Sequence, residues 1–213
     1  MKILVSVAAL VACIAGSAAA QPAANFETAL RRARVTIHHA RQRQIRARVQ
    51  TIAERIKRAS RDTRDIASDA NRIYFQLQNI RRRAAWRRFP PPNSPRDPSF
   101  NSDVQMLLFN MRQLALNTAQ LEQIVADIER EAPADPALKE AAQNLLADCV
   151  RLHSLSNYVL NEAHYTRSEL SWIGYHWAGM RLVQDSAYIQ QAAEGALAKA
   201  TALKNKVSPG ILR

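Results

Sequence analysis

The chain has 213 residues, of which 47% are hydrophobic and 23% are charged, and its formal net charge at pH 7 is +12. This length allows one domain, or two small ones, with a sizeable core. The hydrophobic fraction, together with only 5 glycines, excludes a collagen, a disordered chain and a glycine-rich β-barrel. Two cysteines are too few for a small protein stabilised by several disulfides.

Residues 1–20 have the pattern of a secretory signal peptide. A positively charged residue precedes an apolar run, and the run ends in the small residues Ala18–Ala20, which suit cleavage at that point. The alternatives are an uncleaved membrane anchor and a lipoprotein that is acylated at Cys13. We therefore expect an exported protein, periplasmic or secreted, in which Cys149 remains as a small buried hydrophobe rather than a reactive thiol.

Apolar residues recur at alternating spacings of four and three along most of the chain, and this period predicts α-helices. The series run from Ile45 to Ala84, from Phe100 to Ile128, from Leu138 to Met180 and from Leu182 to Val207. No window shows the sustained two-residue alternation of a β-strand. The sequence therefore predicts an all-α fold, an elongated antiparallel helical bundle whose helices pack along seams like those of coiled coils.

The expected helices lie over roughly 25–88, 98–131, 136–173 and 180–207. A proline-rich linker over 89–98 separates the first two, and the short joint at 132–135 makes the second and third antiparallel. Asp97 and Asp135, each followed by proline, are predicted N-caps.

The domain assignment follows from these helices. We expect a single helical-bundle domain over 21–213 with a strongly basic first helix. Gly174 and Gly179 beside a shift of the apolar stripe predict a turn, and the alternative is three helices with one continuous helix over 136–207.

The positive charge is concentrated in the first predicted helix. Residues 25–88 carry 18 Lys or Arg and 5 Asp or Glu, whereas residues 89–213 carry 11 and 13. The charge is densest at the two ends of this helix, where Trp86 also lies among the arginines: Arg31, Arg32, Arg34, Arg41, Arg43, Arg46, Arg48, Arg81, Arg82, Arg83, Arg87 and Arg88.

Such a helix favours docking onto a polyanion, because guanidinium groups pair well with phosphate and carboxylate. The expected partners are an anionic envelope polymer, lipid head groups or an acidic protein, and self-association into a homo-oligomer is a further option. Genomic nucleic acid is disfavoured as a partner because the chain lacks known nucleic-acid-binding motifs and is expected to be exported. The competing interpretation is a solvated helix face with no partner.

A second candidate site is the aromatic segment around the two glycines. Trp172, Tyr175, His176 and Trp177 are predicted either to line a ligand pocket or to close one end of the core.

Catalytic and metal-binding patterns are missing from the sequence. There is no nucleophile elbow, phosphate-binding glycine loop or Cys-x-x-Cys pair, and the five histidines do not have the spacing of metal ligands. We expect a protein that is not an enzyme and holds no cofactor. The alternative function is a carrier that holds a small molecule, a metal or haem inside the bundle, with haem bound by a histidine and Met106, Met111 or Met180.

Overall fold

The computed structural model describes residues 23–88 and 97–208, with side chains from residue 30 onward, and within them it contains helices and no strand. This confirms the predicted all-α fold. The α-helices are α1 (Ala23–Arg88), α2 (Phe100–Glu131), α3 (Lys139–Trp172) and α4 (His176–Val207), and a 3₁₀ turn (Pro136–Leu138) precedes α3. The predicted signal peptide, Cys13 and most of the proline-rich linker lie outside the described residues.

The chain divides into two compact units, residues 1–48 and 49–213, and the helical bundle belongs to the second unit. Within that unit α4 packs along both α2 and α3. The other pairs of neighbours are α1 with α2, linked by a hydrogen bond from Asn110 to Gln76, and α1 with α3, linked by one from Thr166 to the Leu77 carbonyl. The consecutive helices α2 and α3 therefore lie across the bundle from each other.

Polar contacts between helices give their relative directions. Arg55 near the start of the bundle pairs with Glu131 at the end of α2, so α1 and α2 are antiparallel. Ser60 donates to Asp148 and Thr166 donates to the carbonyl of Leu77, so residue numbers rise together along α1 and α3, which are parallel. The second and third helices thus run in opposite directions, as the short joint between them predicts.

The heptad seams form the core of the bundle. Every residue of the α2 series from Phe100 to Ile128 is buried, and so is every residue of the α4 series from Leu182 to Val207. The predicted seam of α1 is correct from Val49 onward but wrong at Ile45, whose side chain is 47% exposed. The end of the third series is also wrong, because Trp177 and Met180 are exposed.

A turn divides the last two helices, so the alternative of one continuous helix over 136–207 is wrong. Gly174 has φ +86°, a left-handed conformation that other residues rarely adopt, and this allows the chain to reverse between α3 and α4. Gly179 lies where the two helices approach closely: a Cβ at this position would be 2.9 Å from the Cα of Arg167. Both glycines therefore have geometric roles at the predicted turn.

One of the two predicted caps is present. The Asp135 carboxylate accepts a hydrogen bond from the Ala137 backbone N–H at 2.9 Å. At the other position the prediction is wrong, because α2 begins at Phe100 with Ser99 as its N-cap residue. The Asp97 carboxylate binds a guanidinium of α1 instead.

Candidate functional site

The arginines of the predicted polyanion-binding surface fall into two groups. The N-terminal arginine group belongs to the unit before Val49 and consists of Arg31, Arg32, Arg34, Arg41, Arg43, Arg46 and Arg48. The C-terminal arginine group lies at the end of α1 in the bundle and consists of Arg81, Arg82, Arg83, Arg87 and Arg88, with Trp86 among them. The two groups differ in what surrounds their guanidinium groups.

The N-terminal arginine group is exposed to solvent in its own unit. All seven arginines are exposed, and the sequence has no acidic residue between Glu27 and Glu54 to balance them. The segment between residues 28 and 48 thus contributes +7 of the net charge, whereas residues 49–208 carry 21 basic and 17 acidic residues. The excess of basic over acidic residues is therefore concentrated in this segment.

Large apolar side chains share the surface of this segment. Leu30, Val35, Ile37 and Ile45 are all exposed, and Ala33 is half-buried. Isolated exposed hydrophobic residues are ordinary on a protein surface, but Leu30 and Ile37 are seven residues apart and therefore lie on the same side of the helix.

Arg83 in the C-terminal arginine group is a structural residue. Its side chain is 23% exposed, and it donates to Asp97 at 2.7 and 2.9 Å, to Asp103 at 2.6 Å and to the Ser99 hydroxyl at 3.0 Å. These bonds join the end of α1 to the start of α2. They satisfy most of the hydrogen-bonding capacity of the guanidinium, which leaves little for an external anion.

The pKa values in this cluster follow from the same contacts. Partial burial alone would lower the pKa of Arg83, but hydrogen bonds to Asp103 and Asp97 outweigh it and raise this pKa above its ordinary value. Partial desolvation would raise the pKa of Asp97, but hydrogen bonds from Arg83 and Ser99 hold this pKa below its ordinary value. Both groups are therefore charged at neutral pH.

Two further arginines of this group stack on aromatic rings. The guanidinium of Arg87 lies 4.3 Å from the ring centre of Phe100 and donates to the Asp97 carbonyl. The guanidinium of Arg88 lies 4.1 Å from the ring centre of Trp172. Both contacts are within the range of cation–π interactions, and they connect the end of α1 with α2 and α3.

Arg81 and Arg82 are neighbours in sequence with different surroundings. The Arg81 Nε lies 2.8 Å from the Glu162 carboxylate of α3, a side chain only 7% exposed, and its guanidinium lies 5.5 Å from the ring centre of Tyr165. The exposed Arg82 makes only a long hydrogen bond, 3.4 Å, to the carbonyl of Gln78 within its own helix. Among the five arginines of this group, Arg82 has the weakest contacts described.

The predicted aromatic pocket is not formed by its four residues. Trp172 and Trp177 are 66% and 53% exposed, and His176 is also exposed, with its Nδ1 3.2 Å from the hydroxyl of Ser171. Only Tyr175 packs on the core, with its ring edge-on to that of Phe100 at 5.5 Å. The segment forms the turn between α3 and α4, and one of its aromatics covers the end of the core.

Cys149 is buried in the bundle, as the apolar seam predicts. Burial raises the pKa of its thiol to about 12, so the thiol stays protonated and unreactive at neutral pH. Among the described residues, no group of three or more His, Cys, Asp or Glu side chains has a geometry that could hold a metal ion.

Two clefts between helices hold charged residues that the sequence analysis did not single out. A cleft of about 790 Å³ between α1 and α3 is lined by Lys57, Arg61 and Arg64, but Arg64 lies 3.5 Å from Asp148 and its charge is balanced there. In a second cleft, between α2 and α4, the buried carboxylate of Asp185 lies 3.7 Å from the guanidinium of Arg112 and 3.9 Å from that of Arg181. Its position one turn after Leu182, beside the α4 seam, is the only sequence signal for its burial.

Comparison of the chain with models of protein families, with curated proteins and with solved structures finds no match. None of the helices in the described ranges has a stretch long and apolar enough to cross a membrane.

Proposed function

We propose that this helical protein is exported, that it is a binding protein rather than an enzyme, and that it binds an anionic envelope component or an acidic partner through the N-terminal arginine group. The observation that carries this proposal is the contrast between the two arginine groups. Seven exposed arginines lie before Val49 in a stretch without an acidic residue between positions 28 and 53, whereas Arg81, Arg83 and Arg87 make polar contacts with other residues of the bundle.

This contrast limits the proposed polyanion-binding surface to the N-terminal part of the arginine-rich helix. A guanidinium that already binds carboxylates must exchange them for an external anion, so its net contribution to binding is small. An exposed guanidinium that binds no carboxylate, such as that of Arg41 or Arg43, gives up only water, and its field attracts anions over a Debye length of about 8 Å at physiological ionic strength. Polyanion binding therefore depends on the arginines before Val49.

The test uses heparin as the polyanion and two matched variants of the full chain. The first replaces Arg31, Arg34, Arg41 and Arg43 with glutamine, and the second replaces four exposed cations of the bundle. The control residues are Arg58, Lys139, Arg151 and Lys199. Both variants lose four positive charges, and glutamine has a helix propensity close to that of arginine and lysine.

We expect the wild type and the bundle variant to bind heparin with similar affinity at low salt. The N-terminal variant is expected to lose at least about tenfold in affinity, because four ionic contacts are removed. An equal loss in both variants would mean that net charge alone attracts the polyanion, and no binding by the wild type would contradict the proposal.

A further inference from the structure

The exposed segment before Val49 has a regular apolar stripe in addition to its charge. Leu30, Ala33, Ile37 and Ala40 follow one another at spacings of three, four and three residues, which is the spacing of one helix face. With 3.6 residues per turn, these four positions fall within about 80° of the helix circumference. Leu30 and Ile37 are both exposed.

Arginines border this apolar stripe on both sides. Arg34 and Arg41 follow one edge, seven residues apart, and Arg32 and Arg43 lie beyond the other edge. All four are exposed. A narrow apolar face bordered by arginines, on a helix with low overall hydrophobicity, is the pattern of helices that lie in the interface of an anionic membrane.

A second copy of this chain is unsuited to bind along the apolar stripe. Pairing two copies along it would bring together two segments that each carry seven arginines and no acidic residue between positions 28 and 53. Charges that flank a coiled-coil seam set the choice of partner, and here all of them have the same sign. Electrostatic repulsion therefore opposes self-association through this face.

An anionic bilayer can interact with more of the arginines in this segment than a single acidic helix can. A partner helix contacts only the arginines beside the stripe, whereas Arg31 and Arg46 lie toward the opposite side of the helix. The surface potential of an anionic leaflet extends over about a Debye length and acts on these arginines as well. Charge complementarity over the whole segment thus favours a lipid surface.

We propose that the segment over residues 30–46 is an interfacial helix that docks onto anionic phospholipid, with Leu30 and Ile37 inserted among the lipids and the arginines from Arg31 to Arg46 on the head groups. This inference rests on the proposed function and specifies its partner. A neutral membrane is not a partner, because two large aliphatic side chains and several alanines are too little apolar surface to hold the helix without the charge.

The experiment measures co-sedimentation of the full chain with vesicles and, in parallel, its binding to heparin. One set of vesicles contains phosphatidylglycerol with phosphatidylcholine, and the other contains phosphatidylcholine alone. One variant carries Leu30→Gln and Ile37→Gln. The matched control carries Leu116→Gln and Ile124→Gln in α2. These residues are of the same types and have similar exposed fractions, 44% for Leu116 and 41% for Ile124 against 42% for Leu30 and 51% for Ile37.

We expect the wild type and the α2 variant to bind phosphatidylglycerol vesicles and not neutral ones. The Leu30→Gln, Ile37→Gln variant is expected to lose about tenfold in vesicle binding, the equivalent of about 1.4 kcal/mol, and to keep its affinity for heparin. Residues 1–20 are unchanged in all variants, so lipid binding through that apolar run would appear equally in each of them and on neutral vesicles.

Three results would overturn the inference while leaving the proposed function intact. The first is binding to heparin without binding to vesicles, which points to an acidic polymer or protein. The second is vesicle binding that is reduced in both variants or in neither of them. The third is a dimer in sedimentation analysis that is lost only in the Leu30→Gln, Ile37→Gln variant. If the wild type binds neither heparin nor vesicles, the inference and the proposed function both fail.

Discussion

Arg81 and Arg82 test whether the C-terminal arginine group is structural, because the two residues are adjacent and only one is paired with a buried group. Arg81→Met removes the sole charge partner described for the Glu162 carboxylate, whose side chain is 7% exposed. Removing one member of a buried ion pair costs about 3–5 kcal/mol. Because Arg81 itself is 37% exposed and water can replace part of the interaction, we expect a loss of about 2 kcal/mol.

The matched substitution Arg82→Met is expected to change the free energy of unfolding by less than about 0.5 kcal/mol, since Arg82 is exposed. For a chain of this size, the loss for Arg81→Met corresponds to a decrease of about 4–8 °C in the melting temperature, measurable by circular dichroism. Adding Glu162→Gln to Arg81→Met is expected to recover part of the stability, because a neutral amide needs no counter-charge. Equal effects of the two arginine substitutions, or no recovery in the double variant, would refute this assignment.

Three further predictions concern the described contacts. Gly179→Ala is expected to lower the free energy of unfolding, measured in urea, by about 1–3 kcal/mol, because the added Cβ would meet the backbone of Arg167. Gly195→Ala is expected to be neutral or stabilising, because its Cβ would meet only the movable end of the Glu122 side chain. The reverse order of the two stabilities would contradict the packing. Because the pKa of Asp97 is lowered in the folded protein, its carboxylate stabilises the fold above its ordinary pKa of 3.8, and this stabilisation is lost as the pH falls below that value. The difference in unfolding free energy between the wild type and Asp97→Asn is therefore expected to vanish in acid. A difference that stays constant with pH would contradict the ion pair of Asp97 with Arg83. Cys149 is expected to react with a thiol reagent only after unfolding, as shown by mass spectrometry, and labelling in the folded protein would disprove its burial.

The helices and their buried faces could be predicted from the sequence because they depend on local periodicity. The four-three spacing from Phe100 to Ile128 identifies the buried face of α2 without knowledge of its neighbours. The same reasoning fails at Ile45, where the period is still apolar but the side chain is exposed. Periodicity predicts which face of a helix is apolar, and burial also requires another helix beside that face.

The roles of the arginines could not be predicted because they depend on residues that are distant in sequence. Arg81 and Glu162 are brought together by the parallel packing of α1 and α3, and nothing near either residue indicates the other. The binding of Arg83 to Asp97 was missed because an aspartate before proline is a typical N-cap, whereas a nearby guanidinium is a stronger partner than a backbone N–H. Composition alone therefore made the two arginine groups look equivalent.

The salt dependence of heparin binding tests the central claim most directly. Each ionic contact with a linear polyanion contributes about 0.7–0.9 to the slope of the logarithm of the binding constant against the logarithm of salt concentration. We predict that replacing Arg31, Arg34, Arg41 and Arg43 with glutamine reduces the magnitude of this slope by about 3, and that replacing four exposed cations of the bundle leaves it unchanged. The same slope in all three proteins would contradict the claim that the N-terminal arginine group is the binding surface.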